Sequence, residues 1–279
     1  MTVPFAAAVA DRPRGFVSLR GPDAEDYLQR MVSNDVAALA AGESCDALLL
    51  TPKARVIALL RVLRRAPDDF LLLTEPWLAD TVRAQLVRTR FAAKVAIEVE
   101  RHDSCLVLGD HVEPPAGALF VANNDYGVPS YELIDSGPAA GLPRLSELEL
   151  ELLRIRAGTP RIGREVDDRV LPAEAGLVER AVSFTKGCYP GQEPIARLHY
   201  RGHANRGLRV LAIDGDELPE YDAALTLDGK AVGRVTSAAV GSDGDVVALA
   251  YVRREVPEDA ELRLGDRAVR PLHLPGRRP

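Results

Sequence analysis

The chain has 279 residues, of which 47% are hydrophobic and 27% charged, and it carries a net charge of −6 with a pI near 5.5. This composition is typical of a folded globular protein and argues against direct nucleic-acid binding, which usually requires a basic excess. No apolar run approaches the roughly 18 residues that a membrane span needs, so a membrane partner is not expected. The three cysteines are sparse, no Cys-x-x-Cys pair is present, and residues 1–14 do not resemble a signal peptide. We therefore expect a cytoplasmic protein without a metal site.

The first hundred residues predict an alternation of strands and helices. Apolar and polar residues alternate in the strands, Asp23 is placed to cap the first helix, and Pro76 suits the first position of the second helix. The predicted strands are residues 16–20, 47–50, 56–63, 70–74 and 94–100. The predicted helices are residues 24–32 and 76–91.

The rest of the chain predicts a mixed region followed by a region of strands alone. The mixed region contains short strands at residues 106–108, 118–121 and 131–134 and a helix at 146–156. Short strands separated by Gly and Asp turns then indicate a small antiparallel barrel. These strands are residues 208–213, 224–227, 231–239, 246–252 and 261–264. Because the strands and helices do not follow a βαβ order, we predict an α+β fold with one domain over residues 1–203 and the barrel over residues 204–279.

Residues 184–202 contain the densest chemical signal. Cys188 lies just before a Pro-Gly turn, with Lys186 two residues before it and Arg197 nine residues after it. Cations and the start of a short helix favour the thiolate form, which a reactive cysteine needs. Cys188 is therefore a candidate catalytic residue.

Neighbouring side chains offer contacts to a heterocyclic ligand. Gln192 and Glu193 carry an amide and a carboxylate that pair with an N–H and C=O edge, and Tyr189 offers a flat face for stacking. Each feature also has an ordinary structural explanation. A single cysteine is more often a small buried hydrophobe, and Glu193 with Arg197 at i and i+4 forms a helix salt bridge.

The same segment closely resembles a known family signature. Residues 186–193 read K-G-C-Y-P-G-Q-E, which is similar to the K-G-C-Y-x-G-Q-E motif of the YgfZ family. Residues 21–36 look like the opening of the wider glycine-cleavage T-protein (aminomethyltransferase) superfamily, and residues 231–252 look like its C-terminal barrel. The resemblance covers nearly the whole chain. It implies a T-protein-like, folate-binding body of two interleaved subdomains with a C-terminal barrel docked on it.

The resemblance also implies which residues form the site. Cys188 would be the working thiol, held against the folate pocket. The residues expected to bind the folate are Lys186, Tyr189, Gln192, Glu193, Arg197, Asn34, Asp35 and Glu165. For Asn34 and Asp35 a role in capping and turning the chain is the alternative, and Glu165 is alternatively a solvated loop acid.

Two departures from the T-protein pattern affect the expected chemistry. The aminomethyltransferases carry acidic residues in a G-G-x-x-D-D motif, and the matching positions here are Ala58 and Leu59. Neither side chain accepts a proton, so aminomethyl transfer by that mechanism is not expected. Arg156 replaces a glutamate that contacts the pterin in relatives, so we expect the folate site to be altered or weaker.

The resemblance leads to a functional hypothesis with two alternatives. The chain is expected to bind tetrahydrofolate or a one-carbon-substituted folate and to support iron–sulfur cluster assembly or repair, including for enzymes that modify tRNA. Its expected partners are folate and iron–sulfur enzymes or assembly factors. One alternative is a folate-dependent one-carbon transferase that uses another acid, such as Asp35 or Glu165. The other is a folate-free interaction protein whose pocket is filled by Arg156 and its neighbours; an open cleft lined by Cys188 would count against it.

Overall fold

The protein is known from a computed structural model that describes residues 6–110, 112–138, 140–241 and 244–272. Its strands in chain order are β1 Ala8–Asp11, β2 Gly15–Arg20, β3 Ser44–Leu50, β4 Val56–Ala66, β5 Asp69–Thr74, β6 Ala96–Glu100, β7 Ser104–Leu108, β8 Leu119–Asn123, β9 Ser130–Ile134, β10 Arg206–Ile213, β11 Ala224–Leu227, β12 Lys230–Val240, β13 Val246–Arg253, β14 Leu262–Leu264 and β15 Arg267–Pro271. Its helices are α1 Ala24–Met31, α2 Ala79–Thr89 after a 3-10 turn at Pro76–Leu78, α3 Glu147–Arg156, α4 Val178–Ala181 and α5 Gln192–Arg201. The predicted α+β fold is confirmed. Within the described ranges, no helix combines the length and the apolar character needed to cross a membrane.

The first sheet of the body is antiparallel, with the strand order β3-β4-β5-β2-β6. Successive side chains of a strand point to opposite faces. Ala47 and Leu49 of β3 therefore pack with α1 and α2, whereas Leu48 and Leu50 pack on the other face. All four are buried. Both faces of β3 are thus covered, which explains why this strand is a continuous apolar run.

The second sheet of the body has the order β1-β7-β9-β8 and is also antiparallel. Phe16 and Leu71 of the first sheet pack with Val121 and Ile134 of the second sheet. Strand β1 joins the second sheet before the chain builds the first one, so the two halves of the body are interleaved. Sequence analysis did not predict β1, which has only four residues and gains its pairing from β7.

Helix α3 links the body to the barrel. Ser146 caps it, since its side chain accepts a hydrogen bond from the N–H of Glu149 and the Glu149 carboxylate accepts one from the N–H of Ser146. Ile155 of this helix packs with Ala239 and Leu249 of the barrel. The predicted helix is confirmed, and it holds the barrel against the body.

The C-terminal region forms a closed antiparallel barrel with the strand order β10-β13-β12-β11-β14-β15. Strand β15, which was not predicted, closes it by pairing with β10. Gly233 allows a close strand approach, because a Cβ there would lie 2.5 Å from the carbonyl oxygen of Tyr251. Residues 242–243 and 273–279 of the predicted barrel domain lie outside the described residues. The exact division at residue 204 stays a prediction.

Helix α5 begins inside the signature segment, which we define as residues 186–193. Gly191 caps it with φ of 83°, a left-handed conformation that favours glycine. A Cβ on Gly191 would lie 2.7 Å from the carbonyl oxygen of Thr51, in the turn between β3 and β4. The glycine therefore lets the signature segment lie directly on the first sheet.

Candidate functional site

A cavity lies at the centre of the body, bordered by β3, β4 and β5, the loop after β8, and helices α3 and α4. This central cavity has a volume of about 70 Å³, and the cleft that adjoins it has a volume of about 410 Å³. The cleft falls in the range of roughly 300–1,000 Å³ for small-molecule sites. Apolar walls come from residues such as Leu48, Leu59 and Leu177. The charged lining consists of Arg12, Arg14, Arg61, Arg154, Arg161 and Arg180, together with Asp46, Glu75 and Asp125.

Four of these side chains form a closed ring of alternating charge, which we call the charge ring. Arg61 donates to Asp46 at 3.0 Å and to Asp125 at 3.3 Å, and Arg180 donates to each of the same carboxylates at 2.6 Å. Burial opposes ionisation of Asp125, but the two arginines outweigh it and hold the pKa of this carboxyl well below its usual range. The charge ring thus fixes two carboxylates at the cavity wall.

A second buried group of ion pairs contacts the charge ring through Arg61. Glu132 of β9 is fully buried and accepts two hydrogen bonds from Arg14, at 2.6 and 2.7 Å, and one from Arg61 at 3.0 Å. Asn123 adds a fourth at 2.5 Å. Burial raises the pKa of Glu132, yet the arginines lower it to about 2. A buried carboxylate needs such pairing, so Glu132 holds Arg14 and Arg61 in position.

An outer cleft adjoins the central cavity. Five residues line both spaces, and we call them the neck: Arg12, Glu75, Tyr126, Arg154 and Arg161. Trp77 lines the cleft and is 64% exposed. It is the one tryptophan of the chain. The neck therefore lies between the cavity and a cleft that carries an exposed aromatic ring.

The signature segment lies behind one wall of the central cavity. The nine site residues predicted from sequence all fall in the described part of the chain, and they lie outside the lining of this cavity. Cys188 is a free thiol exposed to solvent. Lys186 donates to the carbonyl oxygens of Gln29, Val32 and Asn34 at 2.5–2.8 Å. Its ammonium therefore anchors the segment to the end of α1 rather than activating the thiol.

Tyr189 is buried in the wall and does not face the cavity. It belongs to the same apolar cluster as Leu48, Leu177 and Ala181, and these three line the cavity. Burial raises the pKa of Tyr189 to about 12. Lys186 lies over its ring, 5.3 Å from the centroid. The predicted stacking face is thus used by the protein itself.

The predicted ligands on α5 and after α1 are engaged in local contacts. Glu193 and Arg197 form an exposed i,i+4 ion pair at 2.6 Å, and Gln192 begins the helix. Asn34 donates to the carbonyl oxygen of Asp46 at 2.7 Å, and Asp35 accepts from Gln29 at 2.9 Å. Asn34 and Asp35 thus turn and cap the chain, although Asn34 also steadies the strand that carries Asp46.

Glu165 joins the body to the barrel. Its side chain is fully buried and accepts hydrogen bonds from Arg154, the N–H of Arg161 and the hydroxyl of Ser237, at 3.1, 3.0 and 2.6 Å. Its carbonyl oxygen accepts one from the Tyr251 hydroxyl at 2.8 Å. The expectation of a solvated loop acid is wrong, because Glu165 lies in the interface between α3 and the barrel.

The positions that depart from the T-protein pattern separate in space. Leu59 lines the central cavity, whereas Ala58 packs with α1 and α2 on the other face of the sheet. Arg156 is half-buried and does not line the cavity. Arg156 therefore does not fill the cavity, and the wall position Leu59 offers no carboxylate.

The charged residues that line the cavity were not predicted from the sequence. A signal was present for two of them, since Asp46 and Arg61 each interrupt an apolar strand. Charged residues are almost never buried unless they are paired, so such an interruption predicts a partner across the fold. Its identity needed the tertiary structure, because Arg180 lies 134 residues from Asp46 in the chain.

The comparisons with known proteins agree with this architecture. Residues 205–275 match the family described as CAF17, C-terminal beta-barrel domain. The chain is 30% identical to the tRNA-modifying protein YgfZ of Edwardsiella ictaluri, over 92% of this chain and 88% of that protein. It belongs to the YgfZ family. A YgfZ protein of Enterobacter, also named as tRNA-modifying, is 27% identical over 90% of this chain and 86% of its own length.

A solved structure extends the comparison to the wider fold. The glycine cleavage system aminomethyltransferase T of Bartonella henselae superposes with a TM-score of 0.81, covering 97% of this chain and 86% of that chain. The sequences are 20% identical. The T-protein-like fold predicted for this YgfZ family member is confirmed.

Proposed function

We propose that the protein binds tetrahydrofolate, or a one-carbon-substituted folate, in the central cavity. In this role it supports iron–sulfur cluster assembly or repair in the cytoplasm, including for enzymes that modify tRNA. Its YgfZ relatives are named as tRNA-modifying proteins, and its structural neighbour is an aminomethyltransferase. The observation that carries the proposal is the central cavity whose wall presents the charge ring.

The charge ring supplies the groups that a pterin needs. The 2-amino group and the N3–H of a pterin donate side by side, a pattern that one carboxylate accepts with both oxygens. Asp46 and Asp125 offer such carboxylates, and Arg61 and Arg180 hold them in place. In this proposal Asp46 and Asp125 bind the pterin in place of the glutamate that relatives carry at the position of Arg156. The presence of Arg156 therefore does not abolish folate binding.

The lining of the cavity argues against aminomethyl transfer. Leu59 lies at the wall where a transferase would carry an acid. Asp35 and Glu165, the other acids considered from sequence, lie outside the cavity lining. The arginines make Asp125 a weak base by lowering its pKa. Binding and presentation of folate fit this set of residues better than proton transfer does.

Cys188 lies outside the cavity lining, so its role differs from that of the residues that bind folate. Its thiol is exposed, and the segment around it is anchored through Lys186 and Gly191. An anchored, exposed thiol is accessible to a partner protein, such as an iron–sulfur enzyme or assembly factor. We therefore propose that Cys188 acts toward the partner and not on the folate.

Calorimetry with tetrahydrofolate under anaerobic conditions tests the binding proposal. Asp125→Asn should weaken binding by about tenfold or more, because it removes a charge-assisted acceptor. Asp168→Asn, at an exposed loop position, is the matched control and should bind like the wild type. Absence of saturable binding by folded wild-type protein would refute the proposal. Modified nucleosides in tRNA, measured in cells that carry only Asp125→Asn, then test whether folate binding serves tRNA modification.

A further inference from the structure

The neck between the central cavity and the outer cleft contains three arginines, Arg12, Arg154 and Arg161, together with Glu75 and Tyr126. Glu75 pairs with Arg12, and Glu151 and Glu165 beside the neck pair with Arg154. Their hydrogen bonds show which of these groups the protein itself satisfies. Arg154 is fully engaged: its guanidinium donates to Glu151 at 2.7 and 2.9 Å, and to the carbonyl oxygen of Thr159 at 2.5 Å.

The other two arginines of the neck retain unused hydrogen-bonding capacity. Arg12 donates to Glu75 at 2.8 and 3.3 Å, but its buried Nε–H has no acceptor among the described residues. Among the residues that the structure describes, the guanidinium of Arg161 makes one long contact, 3.4 Å to Glu151. Its side chain is 35% exposed. Arg161 is therefore the cation of the neck that is most accessible to a ligand.

Tyr126 adds a neutral donor at the same place. The residue is 6% exposed, and no hydrogen bond of its hydroxyl is found within the described part of the chain. A hydroxyl and two incompletely satisfied guanidinium groups at one constriction match a negatively charged oxygen group, because each of them can donate to it.

We propose that the neck is a subsite for a carboxylate of the bound ligand. This inference rests on the proposed function. In a bound folate, the carboxylate that occupies the neck belongs to the glutamyl group. Arg161 and Tyr126 donate to it directly, and Arg12 adds positive charge from the neck wall. The pterin and the aminobenzoyl ring occupy the central cavity, and the remainder of the glutamyl group leaves through the cleft beside Trp77.

Two matched ligands isolate the carboxylate. Tetrahydrofolate and its dimethyl ester share one skeleton, but the ester lacks both negative charges. Binding is followed by calorimetry and by quenching of Trp77, whose fluorescence reports on the cleft without a label. Wild-type protein should prefer the free acid by about tenfold or more, since charge-assisted hydrogen bonds are the strong ones.

Substitutions at the neck should change this preference and leave affinity for the ester unaltered. Arg161→Met should reduce it to about threefold or less, and Tyr126→Phe should reduce it by a smaller factor. Arg83→Met, which removes an exposed arginine of α2, is the control and should retain the full preference. Arg12→Gln combined with Glu75→Gln removes the pair without leaving a lone buried carboxylate, and it should also reduce the preference.

The outcomes separate this inference from the proposed function. Equal binding of acid and ester by the wild type overturns the carboxylate subsite while folate binding stands. Equal loss of both ligands in Arg161→Met also overturns it, because the arginine would then act on the shape of the cavity. If the wild type binds neither ligand, the proposed function fails and this subsite fails with it.

Discussion

Replacing Glu165 by Gln is expected to weaken the joint between body and barrel while leaving folate affinity unchanged. The buried carboxylate accepts hydrogen bonds from Arg154, from the N–H of Arg161 and from Ser237. A glutamine of the same shape keeps one acceptor oxygen. Its NH2 group donates to the Ser237 hydroxyl, which accepts as well as donates, so the substitution removes only the negative charge beside Arg154.

The structure sets the size of this effect. Stranding a buried charge typically costs about 3–5 kcal/mol, but Arg154 keeps Glu151 through hydrogen bonds of 2.7 and 2.9 Å. The loss therefore corresponds to replacing a charge-assisted hydrogen bond by a neutral one, about 1–2 kcal/mol in the free energy of unfolding. For a chain of this size the melting temperature should fall by about 2–8 °C.

Urea unfolding followed by circular dichroism measures the loss, and calorimetry measures tetrahydrofolate affinity on the same samples. Glu193→Gln is the matched control, because its ion pair with Arg197 is exposed and should contribute less than about 0.5 kcal/mol. Unchanged stability together with tenfold weaker folate binding in Glu165→Gln would refute this reasoning. Glu165 would then be a ligand, as the family resemblance implied.

Four further predictions follow from single positions. Burial raises the pKa of Glu132, but its arginine partners lower it from 4.5 to about 2. Its stabilisation, about 3 kcal/mol, is thus fully present above pH 4.5 and is lost as the pH falls toward 2; Glu132→Gln should show a shallower loss of stability over this range in urea titrations. Cys188→Ala should bind tetrahydrofolate within twofold of the wild type but fail to restore tRNA modification in cells lacking the protein, and a large loss of affinity would contradict its placement outside the cavity. Arg156→Glu should change folate affinity less than threefold by calorimetry, whereas a strong gain would show that Arg156 blocks the wild-type site. Gly191→Ala should lower the melting temperature markedly because of its left-handed φ and close backbone neighbour; Gly187→Ala, with open space around it, is the control and should not.

Local sequence patterns predicted most of the secondary structure. The helix over residues 146–156 was readable because its first turn carries the capping box of Ser146 and Glu149. The strands of the barrel were readable from their short apolar runs and Gly-rich turns. The short strands β1 and β15 were missed, since their four and five residues are defined by pairing with β7 and β10 and by little in their own sequence.

The family was also readable from sequence, because residues 186–193 form an unusual and continuous signature. Most of the predicted site residues were therefore chosen from this signature or from the helix that follows it. In the structure Lys186 caps α1 and Tyr189 fills a wall, so this segment supports the central cavity from behind. A continuous motif thus identified the family without showing which of its side chains face the cavity.

The charged lining of the cavity follows only from the tertiary structure. Arg14 meets Glu132 across 118 residues of chain, and Arg180 meets Asp46 across 134. In the sequence these charges lie far apart, and many pairings are possible. Only the packing of the two sheets and α4 selects one arrangement, because a charge buried in the low dielectric of the interior is stable only where an opposite charge reaches it.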